Sequence, residues 1–306
     1  MVKVAYDPSA NWSKNSLTYL RNSVGEYYKI GVSANAKDAE ILIKSPHNVI
    51  PISEYPCLRI IASNTTSPWH IPLRHCRDRG IKVITLEGNP VLDGITSTAE
   101  HTCGLIHAAH RNILAASLDV TRNLVWNRYK WGVPQELQSS NLLIIGYGRI
   151  GSMVANMMDS VVGSIAVYDP KNDHEPEDLE YLLPMADIVA LCCSLTDSSR
   201  YILNHAAMER MPLGSIIVNT AQGSCLDHGA LLDHMNSGHI RAAALDVLPD
   251  EFGPGISHDM ERIIDYAAGH PNLILTPHIA GSTAIAWKKT QMATIEAIIE
   301  EIKEWN

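Results

Sequence analysis

The sequence predicts an α/β protein of two domains, each built on a parallel sheet, and three observations carry that expectation. The chain has 306 residues, and at roughly 150 residues per domain it has room for two cores. Short β-branched runs alternate with helix-period segments from end to end, the pattern of βαβ units. One of these runs ends in a glycine-rich turn, Gly146-Tyr147-Gly148-Arg149-Ile150-Gly151, that opens directly into a helical pattern.

Taken in order, the first strand is Val2 to Tyr6. Ala39 to Ile43, Leu58 to Ala62 and Lys82 to Thr85 follow, so about the first 95 residues make one small α/β domain. Thr98 to Leu118 reads as one long helix, with Cys103, Leu105, Ile106, Ala109, Ile113 and Leu114 as its apolar positions. The second series of strands is Asn141 to Ile145, Ser164 to Tyr168, Ile188 to Cys192, Ser215 to Asn219, Ala242 to Leu245 and Leu273 to Leu275. Helical segments at Gly146 to Asp159, Asn204 to Arg210 and His228 to Asn236 lie between them. Six strands is the count of a complete dinucleotide-binding sheet. Thr283 to Trp305, with Ile285, Met292, Ile295, Ile298, Ile299 and Ile302, is a closing helix able to pack back on the first domain.

Composition excludes several classes of function. Lys and Arg number 24 against 33 Asp and Glu, a net charge of −9, and the pI is about 5.8. Such a chain has no electrostatic footprint for nucleic acid or an anionic membrane. With 46% hydrophobic and 19% charged residues, whole-chain disorder is excluded. No apolar stretch reaches the roughly 18 residues of a membrane span, and the N-terminal apolar segment is too short for a secretory signal. The expectation is a soluble, cytoplasmic protein. Its six cysteines contain no Cys-x-x-Cys and are expected to be reduced, with Cys192 and Cys193 read as small buried hydrophobes. Glu100, Cys103 and His107 share one helix face, followed by His110, but this is read as a packed polar stripe, and no metal is expected.

The glycine turn is G-x-G-x-x-G between a strand and a helix. Gly146 permits the tight turn, Gly148 lets a pyrophosphate approach the backbone, and Gly151 lets helix and strand pack closely. The helix N-terminus then offers free N–H groups to phosphates. Asp169 closes the next strand, eighteen residues after Gly151, where a carboxylate accepts bonds from ribose hydroxyls. An acid there favours NAD, since it repels the 2′-phosphate of NADP, although Lys171 nearby leaves NADP open.

Three further strand ends carry polar groups, and ligands of open α/β sheets sit at the carboxyl ends of strands. His278 follows Leu273-Ile-Leu-Thr-Pro. Asp246 closes Ala242-Ala-Ala-Leu, with Glu251 five residues on. Gln222 and Gly223 follow Ile216-Ile-Val-Asn-Thr-Ala. A Glu beside a His raises the imidazole pKa and orients the ring, fitting it to protonate a carbonyl oxygen as hydride arrives.

These residues resemble the D-isomer-specific 2-hydroxyacid dehydrogenases. The resemblance runs from about Leu58 to the C-terminus. It is carried by Thr65-Thr66 with His70-Ile71, Ser97-Thr-Ala-Glu-His-Thr-Cys-Gly-Leu105, Gly146 to Gly151, Tyr168-Asp-Pro170, Val218-Asn-Thr-Ala221, Ala244-Leu-Asp-Val247 and Thr276-Pro-His-Ile-Ala-Gly281. The resemblance implies Rossmann-like and flavodoxin-like domains with the active site in the cleft between them. Residues 1–97 and 284–306 would form a discontinuous substrate domain, and 98–283 an NAD domain. It implies a homodimer formed through the NAD domains, which suits the helix near residues 98–118 and the arm from Trp126 to Trp131. By position, His278 would be the acid/base and Glu251 its partner. Thr102, Arg149, Ile150, Asp169, Pro170, Cys193, Thr220, Ala221, Asp246 and Gly281 would line the NAD, and Asn64-Thr65-Thr66 would offer N–H groups to the substrate carboxylate.

One position departs. The family writes Asn-x-x-Arg-Gly where this chain has Asn219-Thr-Ala-Gln222-Gly223. That arginine grips the carboxylate and carbonyl of a 2-keto acid, whereas Gln222 donates hydrogen bonds without charge or guanidinium fork. Losing a charge-assisted contact costs roughly 1.5–3 kcal/mol, and losing a donor aimed at developing charge about 10²–10³ in rate. Three readings follow: a 2-hydroxyacid oxidoreductase, an oxidoreductase of another carbonyl substrate, and a weak or inactive NAD-binding regulatory protein. The retained His278 and Glu251 favour an enzyme.

Overall fold

The computed structural model describes residues 2–6, 12–25, 30–34, 37–44, 52–68, 70–171, 178–253 and 255–305. The chain divides into two compact units, residues 1–95 with 283–306, and residues 96–282.

In the first unit five parallel strands stand in the order β2-β1-β3-β4-β5. They are β1 (Val2–Tyr6), β2 (Ile30–Ala34), β3 (Ile41–Ile43), β4 (Ile60–Ala62) and β5 (Lys82–Ile84), with helices α1 (Lys14–Gly25) and α2 (Leu73–Asp78) between them. Side chains alternate across a strand, and here both faces are covered. Val2, Val4, Ile41, Ile43, Ile60 and Ala62 face one core, while Ala5, Leu42 and Ile61 face the other. Ile295, Ile298 and Ile302 of the last helix, α10 (Ala284–Lys303), complete the first of these cores, so the C-terminus belongs to the unit that contains the N-terminus. The Thr283 hydroxyl caps that helix by accepting from the Ala286 N–H.

The second unit begins with α3 (Ser97–His110) and α4 (Ile113–Arg122). The single helix expected over 98–118 is in fact two, because Asn112 takes a left-handed backbone at φ 52°. Six strands follow: β6 (Asn141–Ile145), β7 (Ser164–Tyr168), β8 (Ile188–Leu191), β9 (Ser215–Asn219), β10 (Ile240–Leu245) and β11 (Leu273–Leu275). They pair in parallel in the order β11-β10-β9-β8-β6-β7. Of the crossover helices, α5 (Arg149–Met158) packs with α3 over Leu142, Ile144, Ile188, Val218 and Ala244. On the other face α7 (His205–Arg210), α8 (His228–Asn236) and α9 (His258–Gly269) cover Leu143, Ile145, Leu191, Ile217 and Leu245, and a one-turn α6 (Leu179–Leu182) precedes β8. The sheet grows in opposite directions from β6, so the glycine turn that follows β6 lies at a topological switch point. No helix among the described residues is long and apolar enough to cross a membrane.

Candidate active site

The turn after β6 is built by steric necessity. Gly146 has φ +97°, and a Cβ there would lie 2.5 Å from the Cys193 backbone. At Gly151 a Cβ would lie 2.0 Å from the Gly146 carbonyl oxygen. Both glycines are therefore required by the protein's own packing. Gly148 is different: among the described residues nothing lies within 4 Å of its Cβ position, and it precedes α5 without a side-chain cap. The first-turn N–H groups of α5 are the class a helix does not pair within itself, and no described residue fills the space over Gly148. The Asp169 carboxylate accepts the Tyr147 N–H at 2.8 Å and the Lys171 N–H at 2.9 Å, fixing it beside the turn. Pro170 after it is exposed. A phosphate cradle with an adjacent acid fits a dinucleotide.

Next along the carboxyl edge, buried Thr102 of α3 shares its hydroxyl between the Thr98 carbonyl and the Thr220 hydroxyl, both at 2.7 Å. Buried Asn219 folds the following turn on itself, accepting the Ala221 N–H and donating to the Gln222 carbonyl, each at 3.0 Å. The half-buried Gln222 side-chain amide makes no hydrogen bond among the described residues. Gly223 packs so tightly that a Cβ would meet the Leu248–Pro249 backbone at 2.3–2.6 Å. Its glycine thus presses the Gln222 turn against the segment that leads to Glu251.

Glu251 Oε1 accepts from His278 Nδ1 at 2.8 Å. A carboxylate only accepts, so Nδ1 carries the proton and Nε2 is left to exchange one. The His278 side chain is 37% exposed and that of Glu251 13%. Burial works against a charged His278, but the Glu251 hydrogen bond, the Glu251 charge and the Asp246 charge outweigh it and raise the imidazole pKa. The Phe252 ring sits 5.2 Å from the imidazole. His278 itself has φ 51°, a strained backbone for a non-glycine residue. Its N–H donates to the Asp246 carbonyl at 2.8 Å and the Thr276 carbonyl at 3.0 Å, which hold the strained form in place.

The Asp246 carboxylate is turned toward this loop. It accepts from the Thr276 hydroxyl at 2.5 Å and from the Ile279 and Ala280 N–H groups at 2.9 Å, with His101 Nε2 at 3.5 Å. Asp246, Thr276 and His101 thus brace the segment that presents His278, a function that sequence reasoning missed for Thr276 and His101. Gly281 meets only an ordinary contact with Thr98 Oγ1, so packing does not demand a glycine there.

The expected polar stripe on α3 is used locally. The Thr96 hydroxyl donates to Glu100, and His107 Nδ1 bonds the Cys103 carbonyl at 2.8 Å. No group of three potential metal ligands occurs among the described residues. Cys192 and Cys193 are half-buried, a correction to their reading as core residues. Asn64, Thr65 and Thr66 belong to the other unit. There the Thr65 hydroxyl bonds the Ser63 hydroxyl at 3.0 Å and the Ser67 carbonyl at 3.1 Å, while Asn64 donates to Thr290 at 3.4 Å. Thr66 is exposed.

Comparison with known proteins completes the picture. A family model described as D-isomer specific 2-hydroxyacid dehydrogenase, NAD binding domain, matches residues 103–280. A hydroxypyruvate reductase of Thermotoga maritima is 32% identical over 250 residues, 80% of this chain and 78% of that protein. A D-3-phosphoglycerate dehydrogenase of Bacillus subtilis is 29% identical over 293 residues, 90% of this chain but only 52% of that longer protein. The crystal structure of D-lactate dehydrogenase from Aquifex aeolicus, complexed with NAD and lactic acid, superposes with a TM-score of 0.82. It covers 98% of this chain and 96% of that one at 22% identity, a likeness of fold.

Proposed function

The chain belongs to the D-isomer specific 2-hydroxyacid dehydrogenase family, NAD-dependent oxidoreductases of hydroxy and keto acids, and from that premise we propose that His278 is its acid/base on a small D-2-hydroxy acid or 2-keto acid. The observation that carries this reading is the 2.8 Å contact of His278 Nδ1 with Glu251, in the same unit as the glycine turn. Gly146, Gly148, Arg149, Ile150, Gly151, Asp169 and Pro170 would hold the NAD, with Thr102, Cys193, Thr220, Ala221, Asp246 and Gly281 around it. NAD held there would supply the hydride for a carbonyl carbon. In that direction His278 gives the Nε2 proton to the carbonyl oxygen, and Glu251 stabilises the imidazolium beforehand. In reverse the neutral Nε2 takes the hydroxyl proton. Asn64, Thr65 and Thr66 would present N–H groups to the substrate carboxylate.

Gln222 stands where a cation is expected, and it favours a second reading beside the first: a carbonyl substrate that needs no arginine, or NAD binding with little turnover. A panel of 2-keto acids with NADH separates them. Under the first reading wild type turns over at least one, and Gln222→Arg raises kcat/KM by about 10- to 10²-fold for simple 2-keto acids, the range of a charge-assisted bond. No turnover in either form removes it.

Dimerisation through the second unit is part of the same proposal. Asp119, buried in α4, binds Lys130 Nζ at 2.7 Å, Trp131 Nε1 at 2.6 Å and Asn123 Nδ2 at 2.9 Å, and so pins the arm that follows the helix. That arm leaves Leu124 and Trp126 almost fully exposed, 88% and 89%. Apolar patches of this kind mark association surfaces. A cytoplasmic setting accords with the free state of all six cysteines.

A further inference from the structure

Cysteine chemistry in this molecule divides sharply by position. Burial pushes Cys103 up to about 11 and Cys192 up to about 12, which makes them inert thiols. Cys193 and Cys225 instead face each other, with their Sγ atoms 3.9 Å apart and unbonded. Cys193 is half-exposed and Cys225 fully buried. The hydrogen bond from Cys193 lowers the Cys225 thiol. Burial opposes that, while the Ser199 hydroxyl, the Gln222 backbone and the Arg200 charge assist it. The same contact and burial raise Cys193.

The location is as specific as the pairing. The Cys193 backbone is the surface against which Gly146 packs. Cys225 ends the short turn that starts at Gly223, directly after Gln222, and Gly223 is pressed on the segment leading to Glu251. A bond between the two sulfurs therefore ties the wall of the glycine turn to the turn that carries Gln222.

We propose that Cys193 and Cys225 are a reversible oxidation site, closing to an intrachain disulfide with a peroxide as co-reactant. The Cys225 thiol, the lowered member of the pair, gives its proton to solvent, and its thiolate attacks one peroxide oxygen. The O–O bond breaks, leaving a Cys225 sulfenic acid and hydroxide. Cys193 gives its proton to that hydroxide as water, and its thiolate attacks the Cys225 sulfur across the contact. The S–O bond breaks, and the second hydroxide becomes water with the proton that Cys225 first gave to solvent. Two thiols lose two electrons and one peroxide becomes two waters. A disulfide spans about 2.05 Å, so the sulfurs must approach by roughly 2 Å. The part of that approach that side-chain rotation does not supply falls on the glycine turn and the Gln222 turn. The bond itself does not depend on the function proposed above; its effect on turnover does.

The test treats reduced wild type with hydrogen peroxide and maps its peptides without reductant. A peptide pair joined through Cys193 and Cys225 is expected. NADH-dependent turnover should fall about tenfold or more, the scale of a misplacement of 1 Å or so, and return with dithiothreitol. Cys225→Ser and Cys225→Ala should keep their starting turnover under the same peroxide dose. Absence of the joined peptides while the exposed Cys57 is oxidised would overturn the proposal, as would inactivation of both variants at the wild-type rate. Joined peptides with unchanged NADH affinity would support the oxidation site and remove Cys193 from the cofactor's surroundings.

Discussion

His278 gains its character from two neighbours that act differently. Glu251 holds one ring nitrogen at 2.8 Å and supplies charge, while Asp246 acts from farther away and mainly shapes the loop. Because the imidazole pKa is raised, the protonated form survives to higher pH than in an ordinary histidine. The proposed keto-acid reduction would use that form, so its rate should be level at low pH and fall as pH rises through the raised value. The same shift stabilises the folded unit below the ordinary histidine value, and this contribution disappears as pH rises through the raised one. Replacing Glu251 with Gln leaves burial as the dominant influence. The descending limb of the pH–rate profile should move to lower pH, with kcat at neutral pH reduced by about 10² or more. A limb that stays in place would show that Glu251 does not set the histidine's protonation.

At the scale of elements, the glycine turn separates packing from ligand approach. Gly151→Ala forces a methyl to within 2.0 Å of a carbonyl oxygen, and thermal unfolding should report a loss of at least about 1–3 kcal/mol. Gly148→Ala meets nothing among the described residues. Stability should change by only a few tenths of a kcal/mol, about the cap difference, while NADH affinity drops clearly. Equal affinity in Gly148→Ala and wild type would mean that no phosphate approaches there. Much of this unit was legible because its strands are short, apolar and β-branched, and its turn is locally encoded. All six expected strands of the second sheet form within two residues of their expected limits. Other elements across the two units escaped, β2 and α9 among them. β2 carries Gly31 and Ser33 in a five-residue run, too weak a pattern to stand out. α9 follows a Gly-rich stretch that reads as loop, although the Ser257 cap and the acids Asp259 and Glu261 in its first turn were available signals. The break at Asn112 was hidden because apolar spacing continues through it. The bracing of the His278 loop joins residues some thirty positions apart, as does the Cys193–Cys225 contact, and no local pattern reveals either.

For the whole molecule, each unit has its own two-faced core, and the last helix returns the chain to the first. The exposed arm is the feature that a single copy leaves unexplained. Asp119 and its three partners hold a Trp-bearing segment in an ordered position with its apolar side chains in solvent. Light scattering should give the mass of a dimer for wild type and of a monomer for Leu124→Glu with Trp126→Glu. A wild-type monomer at micromolar concentration would exclude association through this face.

Transfer of a proton by His278 is the step on which the proposed function rests, and replacing the imidazole while watching both cofactor and turnover addresses it most directly. His278→Ala, assayed with NADH and whichever 2-keto acid wild type reduces, should lose about 10²–10⁴ in kcat while NADH affinity stays within a few-fold. A variant that turns over as fast as wild type would contradict the assignment of His278 and the catalytic pair with it.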